Sequence, residues 1–158
     1  SKLSIIIYIN INIIMFATYD LTLFPTVIVR FNGNIKTDND FNSFTQSWLD
    51  LYTNKQDYSF IFDTTNMGVP HIKYSFKMTY FIRDLRKREY QYLQKSIIIV
   101  KNKSILRLLK FIFFIQPPVA PVHLTTEKIE TVQSHIDNLE KIEISEIIQP
   151  KKPFLPFL

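Results

Sequence analysis

Lys103, Arg107 and Lys110 follow one another at spacings of four and three, so on a helix they share one face and present three cations together. They belong to a wider bias. Between Lys73 and Lys110 the chain carries eleven basic residues and two acids, Asp84 and Glu89, which leaves eight basic and twelve acidic residues for everything else. A basic surface of this kind gathers polyanions through long-range fields and counterion release. Arg86, Lys87 and Arg88 form a second cluster, and Lys101 and Lys103 stand ahead of an apolar run. These seven positions, Lys101, Lys103, Arg107, Lys110, Arg86, Lys87 and Arg88, are the candidate anion- or partner-binding residues. The plainer alternative is a solvated helix face whose long stems cover apolar surface.

Two further groups carry possible chemistry. Asp63, Thr64 and Thr65 close an alternating apolar run; beside Lys101 and Lys103 at the starts of two helices they would form an anion-binding or phosphorylation-sensitive switch, and otherwise they are caps. Leu108, Ile112 and Phe113 lie in a segment that is apolar nearly all round, Leu106 to Phe114, apart from its basic stripe. A helix of that kind is deeply buried, lines an apolar pocket, or docks on a partner, a membrane or a second copy of itself.

Other chemistries are poorly served. The 158 residues contain no cysteine and two glycines, Gly33 and Gly68, too few for a phosphate-cradling loop, a dinucleotide-binding turn or a nucleophile elbow. His71, His123 and His135 have no mutual metal-ligand spacing, and no Ser/His/Asp constellation stands out. The expectation is a binding module without a cofactor or metal and without an enzymatic reaction.

The elements that must position these groups are legible from periodicity. Val27, Val29 and Phe31 alternate as a strand that ends at Asn32-Gly33-Asn34. Thr37 and Asp40 open a helix carrying Phe41, Phe44, Trp48 and Tyr52, aromatic residues that read as core. Tyr58, Phe60 and Phe62 alternate again, and Pro70 then suits the first turn of a helix reaching to about Arg88. Ser96 to Val100 is apolar on both faces, as a central parallel strand must be. A helix follows to Gln116-Pro117-Pro118, then a strand over Val119 to Leu124 that Pro121 assigns to an edge, then a last helix with Ile129, Val132, Ile136 and Leu139 on one side. The alternation predicts a single α/β domain: a mostly parallel four- to five-stranded sheet with helices on both faces. It spans residues 17–140, preceded by a leader or extra strand in residues 1–16 and followed by a proline-containing tail in 141–158.

Three segments resemble the STAS/SpoIIAA-like family and the related lobe of Sec14-like (CRAL-TRIO) domains: Phe60 to Asn66, Tyr92 to Val100, and Leu106 to Phe114 with Pro117-Pro118 behind it. The STAS signature of paired serines and a following glycine is not reproduced; Thr64-Thr65-Asn66-Met67-Gly68 is its nearest match. The resemblance implies a cytoplasmic regulatory module, peripheral to membranes in one version, that recognises a protein partner or an anionic lipid headgroup. The Sec14-like side implies a small hydrophobic ligand or lipid. Nucleic acid is a third polyanion for the basic third of the chain, with Tyr90 and Tyr92 near Arg86 to Arg88.

Overall fold

The structure is a computed structural model, and it describes residues 15–153. The chain runs β1 (Ala17–Asp20), β2 (Thr26–Gly33), α1 (Asp38–Thr53), β3 (Tyr58–Met67), α2 (Ile72–Arg86), β4 (Leu93–Ile99), α3 (Lys103–Ile115), β5 (Val122–Thr125), α4 (Ile129–Ser134), a 3-10 turn (Leu139–Lys141) and β6 (Ile144–Ile148). The strands form one sheet in the order β1-β2-β3-β4-β5-β6. β2 to β5 are parallel, and the outer pairs β1–β2 and β5–β6 are antiparallel.

When successive parallel strands sit side by side, the right-handed crossover puts every connecting helix on the same face of the sheet. Val27, Val29 and Phe31 on β2, Phe60 and Phe62 on β3, Ile98 on β4 and Leu124 on β5 therefore all bury against α1, α2 and α3. The intervening positions point the other way, where Ile28, Ile61, Ile97 and Ile99 pack on Val132 of α4 and on Ile142. Helices do cover both faces, but unequally: three long ones on one side, one short helix and a 3-10 turn on the other. Ile129, Ile136 and Leu139 join that second cluster, although the continuous helix expected there breaks after Ser134.

Local chemistry explains the boundaries. The Asp40 carboxylate accepts from the backbone N–H groups of Lys36 and Thr37, at 2.8 and 3.2 Å, and fixes the start of α1. α2 starts two residues beyond Pro70, with the His71 ring accepting from the Lys73 N–H at 3.1 Å. The Asn102 side chain accepts from Ser104 and Ile105 N–H at 2.8 and 3.2 Å and caps α3. No helix among the described residues is long and apolar enough to cross a membrane.

The sheet has six strands where four or five were expected. The missed ones are the antiparallel edges, and their discovery changes two assignments. β6 pairs Val122 with Ile148 and Leu124 with Glu146, so β5 is an inner strand and the ordered sheet extends past residue 140 into the segment read as tail. Pro121 does not contradict this: β5 begins one residue later, and the proline contributes its carbonyl, which accepts from Ser96 N–H at 2.9 Å. The reading of residues 1–14 lies outside the described residues, whereas Ala17–Asp20 is an edge strand of the domain.

Because Asn102 satisfies two otherwise unpaired donors at the start of α3, Asn102→Ala is expected to lower stability by about 1 kcal/mol without altering the fold. Urea unfolding followed by circular dichroism measures it.

Candidate functional site

α1, α2 and α3 do not close completely on the sheet. Between them lies a cavity of about 140 Å³. Large rings, Trp48 from α1 and Phe62 from β3, form part of its wall, while three small residues, Ser75 on α2, Ser96 on β4 and Ala120 ahead of β5, stand where bulkier side chains would fill it. A close-packed interior retains a void only when the neighbouring chains cannot collapse into it. Here rings stand between α1 and the strands, Trp48 against Phe60 at 4.9 Å and against Phe62 at 5.6 Å, and hold the helix off the sheet.

The lining is apolar apart from four hydroxyl-bearing residues, Thr64, Tyr74, Ser75 and Ser96, and no charged side chain takes part. Thr64 is committed, donating to the Ile99 carbonyl at 2.7 Å. Ser75 is not: it is 1% exposed, and its Oγ is buried without a hydrogen-bond partner. A helical hydroxyl commonly turns back on the preceding turn. Thr79 does so on the Phe76 carbonyl at 2.6 Å, and Thr45 on that of Phe41 at 3.1 Å. Ser75 forgoes that option and remains an unpaired hydroxyl in the wall of an apolar space.

Leu108, Ile112 and Phe113, singled out from the sequence as pocket residues, do line this cavity. Ser75, Ser96 and Ala120 were missed. Their signal was faint: small residues set between larger apolar ones, such as Ser75 between Tyr74 and Met78, and Ser96 before Ile97.

The proposed switch does not assemble. Pairing of Asn32 with Asn66 and Gly33 with Met67 carries β3 onward, so Asp63, Thr64 and Thr65 lie within a strand and not at a helix start. Alternation then separates them. Thr64 is buried and faces the cavity, out of reach of a modifying enzyme, while Asp63 and Thr65 bond to each other on the outside, Asp63 Oδ1 accepting from the Thr65 N–H at 3.0 Å.

Nor do the seven basic residues form one patch. α2 and α3 both run from the carboxyl edge of the parallel strands to the amino edge. Arg86, Lys87 and Arg88 consequently sit at one end of the helical layer, and Lys101, Lys103 and Arg107 at the other. Three of the seven are occupied locally. Arg86 donates to the Pro117 and Pro118 carbonyls at 3.0 and 3.2 Å, tying the end of α2 to the exit of α3. Arg88 stacks over the Tyr52 ring at 5.3 Å, a phenol that burial pushes up to about 12. Lys110 pairs with Glu146 at 3.1 Å. Lys87, Lys101, Lys103 and Arg107 form no ion pair or side-chain hydrogen bond among the described residues.

On the opposite face, His123 is half-buried with neither ring nitrogen paired, and burial, aided by the charge of Lys95, holds its pKa below the ordinary histidine value. Lys95 itself donates to the Ile136 carbonyl at 2.9 Å. No group of three His, Asp or Glu residues able to hold a metal occurs among the described residues.

Comparison with protein-family models, curated proteins and solved structures finds no match.

The depressed His123 pKa has a signed consequence. The folded state binds this proton less well than the unfolded chain, so stability falls as pH drops through the ordinary histidine value, about 6.5. Urea midpoints at about pH 7.5 and about pH 5.5 should differ more for the wild type than for His123→Gln; an equal pH dependence of the two proteins removes His123 as the source.

Proposed function

We propose that this chain is a non-enzymatic binding module whose interior site takes a small, neutral, mainly apolar ligand carrying one hydrogen-bonding group. The observation that carries the reading is the Ser75 hydroxyl, buried and unpaired in the wall of an otherwise apolar cavity. Leaving such a hydroxyl unpaired costs roughly 1–3 kcal/mol, and a ligand that bonds to it recovers part of that. The size sets the class: an apolar void of about 150 Å³ stays dry and accepts benzene, so about 140 Å³ suits a small aromatic or short aliphatic alcohol or ketone. The absence of any cation from the lining speaks against an ionised carboxylate, because a buried charge without a partner is heavily penalised. A whole phospholipid exceeds the space.

The finer fold reading, a STAS/SpoIIAA-like unit related to the Sec14-like lobe, belongs to the same proposal. Two of its three segments support it: Tyr92 to Val100 leads through an inner strand into α3, and Leu106 to Phe114 is followed by the two prolines and the next parallel strand. The third speaks against it, since Asp63 to Asn66 continues as strand. On the Sec14-like side, the apolar interior agrees with a ligand-holding domain in miniature.

Anything that binds the folded state alone raises the melting temperature. Benzyl alcohol and toluene should therefore both stabilise the full chain, with benzyl alcohol the tighter by about three- to tenfold, the worth of one hydrogen bond. Ser75→Ala should abolish the preference and keep the binding. Ala120→Leu, which fills the space, should abolish both. No shift with the wild type, or an undiminished shift with Ala120→Leu, contradicts the proposal.

A further inference from the structure

α2 and α3 pack side by side, and each turns one stripe outward. On α2 the stripe is Ile72, Phe76 and Tyr80, at successive spacings of four; all three are nearly half exposed. On α3 it is Lys103, Arg107 and Phe111, again four apart. The two stripes meet where the Phe76 and Phe111 rings touch edge to face, 5.8 Å between centroids. Apolar side chains of this size rarely gather on the outside of a helical layer without a partner to cover them.

The charges say what covers this face. Lys103 and Arg107 stand on the same stripe as Phe111, Lys101 lies just ahead of α3, and none of the three is paired with an acid among the described residues. Three acids on or beside these helices are taken: Asp84 by Arg83 at 3.1 Å, Glu146 by Lys110 at 3.1 Å, and Asp38 by Lys77 at 3.2 Å with Lys73 behind it. A second copy seated face to face brings the same outward face, on which Asp84, Glu146 and Asp38 are already paired, so from these it offers Lys103 and Arg107 no unpaired acid. A lipid surface with negative headgroups meets both requirements at once: rings enter the boundary between headgroup and acyl chain, and cations meet the phosphates.

We propose that the outward face of α2 and α3, with Phe76 and Phe111 as apolar anchors and Lys101, Lys103 and Arg107 as the charged rim, docks on an anionic phospholipid membrane. The inference stands apart from the cavity, which lies on the inner side of the same helices. Arg86, Lys87 and Arg88 lie at the far end of the layer and take no part.

Co-sedimentation of the full chain with vesicles tests it. The protein should pellet with phosphatidylcholine vesicles containing phosphatidylserine, remain in solution with phosphatidylcholine alone, and be released by high salt. The exposed triple variant Lys101→Gln, Lys103→Gln, Arg107→Gln should bind about tenfold or more weakly, and Phe76→Ser with Phe111→Ser should also lose binding. Lys87→Gln and Ser75→Ala should pellet as the wild type does, the second because a failed cavity leaves docking intact. No binding to the anionic vesicles, or unchanged binding of the triple variant, overturns the proposal. So does a dimer in sedimentation velocity that the paired serine variant dissolves, an outcome that assigns the face to a second copy of the chain.

Discussion

The handedness of the parallel crossover is the constraint from which the rest follows. Four parallel strands laid down in chain order, β2 to β5, oblige α1, α2 and α3 to lie on one face of the sheet as a single layer. Everything of functional interest is a property of that layer. Its inner surface meets the strands through rings, leaving a cavity at Ser75, Ser96 and Ala120. Its outer surface carries Phe76 and Phe111 between cations. With helices split evenly between the faces, α2 and α3 would not be neighbours, and neither surface would exist.

The same alternation that builds the sheet divides its work. Ile98 points to the cavity; Ile97 and Ile99, one residue to either side, point into the small isoleucine cluster under α4. The two sides differ in how they are filled. The α4 side is filled by aliphatic side chains of similar shape. On the other side bulky indole and phenyl groups hold the helical layer away from the strands. Aromatic residues bury much surface but leave angular gaps that small neighbours do not close. Polar groups follow this division: Thr64, turned inward, satisfies itself on a strand carbonyl, while its neighbours Asp63 and Thr65 remain outside and bond to one another.

Much of the architecture was readable from periodicity, because β2, β3 and β4 each bury a patterned run against helices with clear caps at Thr37 and Asn102. The edge strands were not. β1 is four residues ending in aspartate, and β6 reads ISEII with only its end residues Ile144 and Ile148 partly buried, so each owes its strand conformation to its partner more than to its own pattern. The switch at Asp63 to Thr65 failed for a related reason: turn-forming residues were taken to end β3, whereas parallel pairing with Asn32 and Gly33 extended it. Basic residues close in sequence proved distant in space, since a helix of fifteen residues separates its ends by roughly 22 Å. Leu108, Ile112 and Phe113 were found because an apolar helix must face something; Ser75 escaped notice because a lone serine in a helix carries no pattern at all.

The chain contains 24 isoleucines, and they report on both sides of the sheet. Methyl spectra recorded while benzyl alcohol is titrated into the full chain address the interior site most directly. Saturable shifts at Ile98, Ile105 and Ile112, which line the cavity, with Ile28, Ile61 and Ile97 on the opposite face unmoved, are the predicted result. Absence of any shift, or shifts that spread equally over both faces, would contradict an interior ligand site.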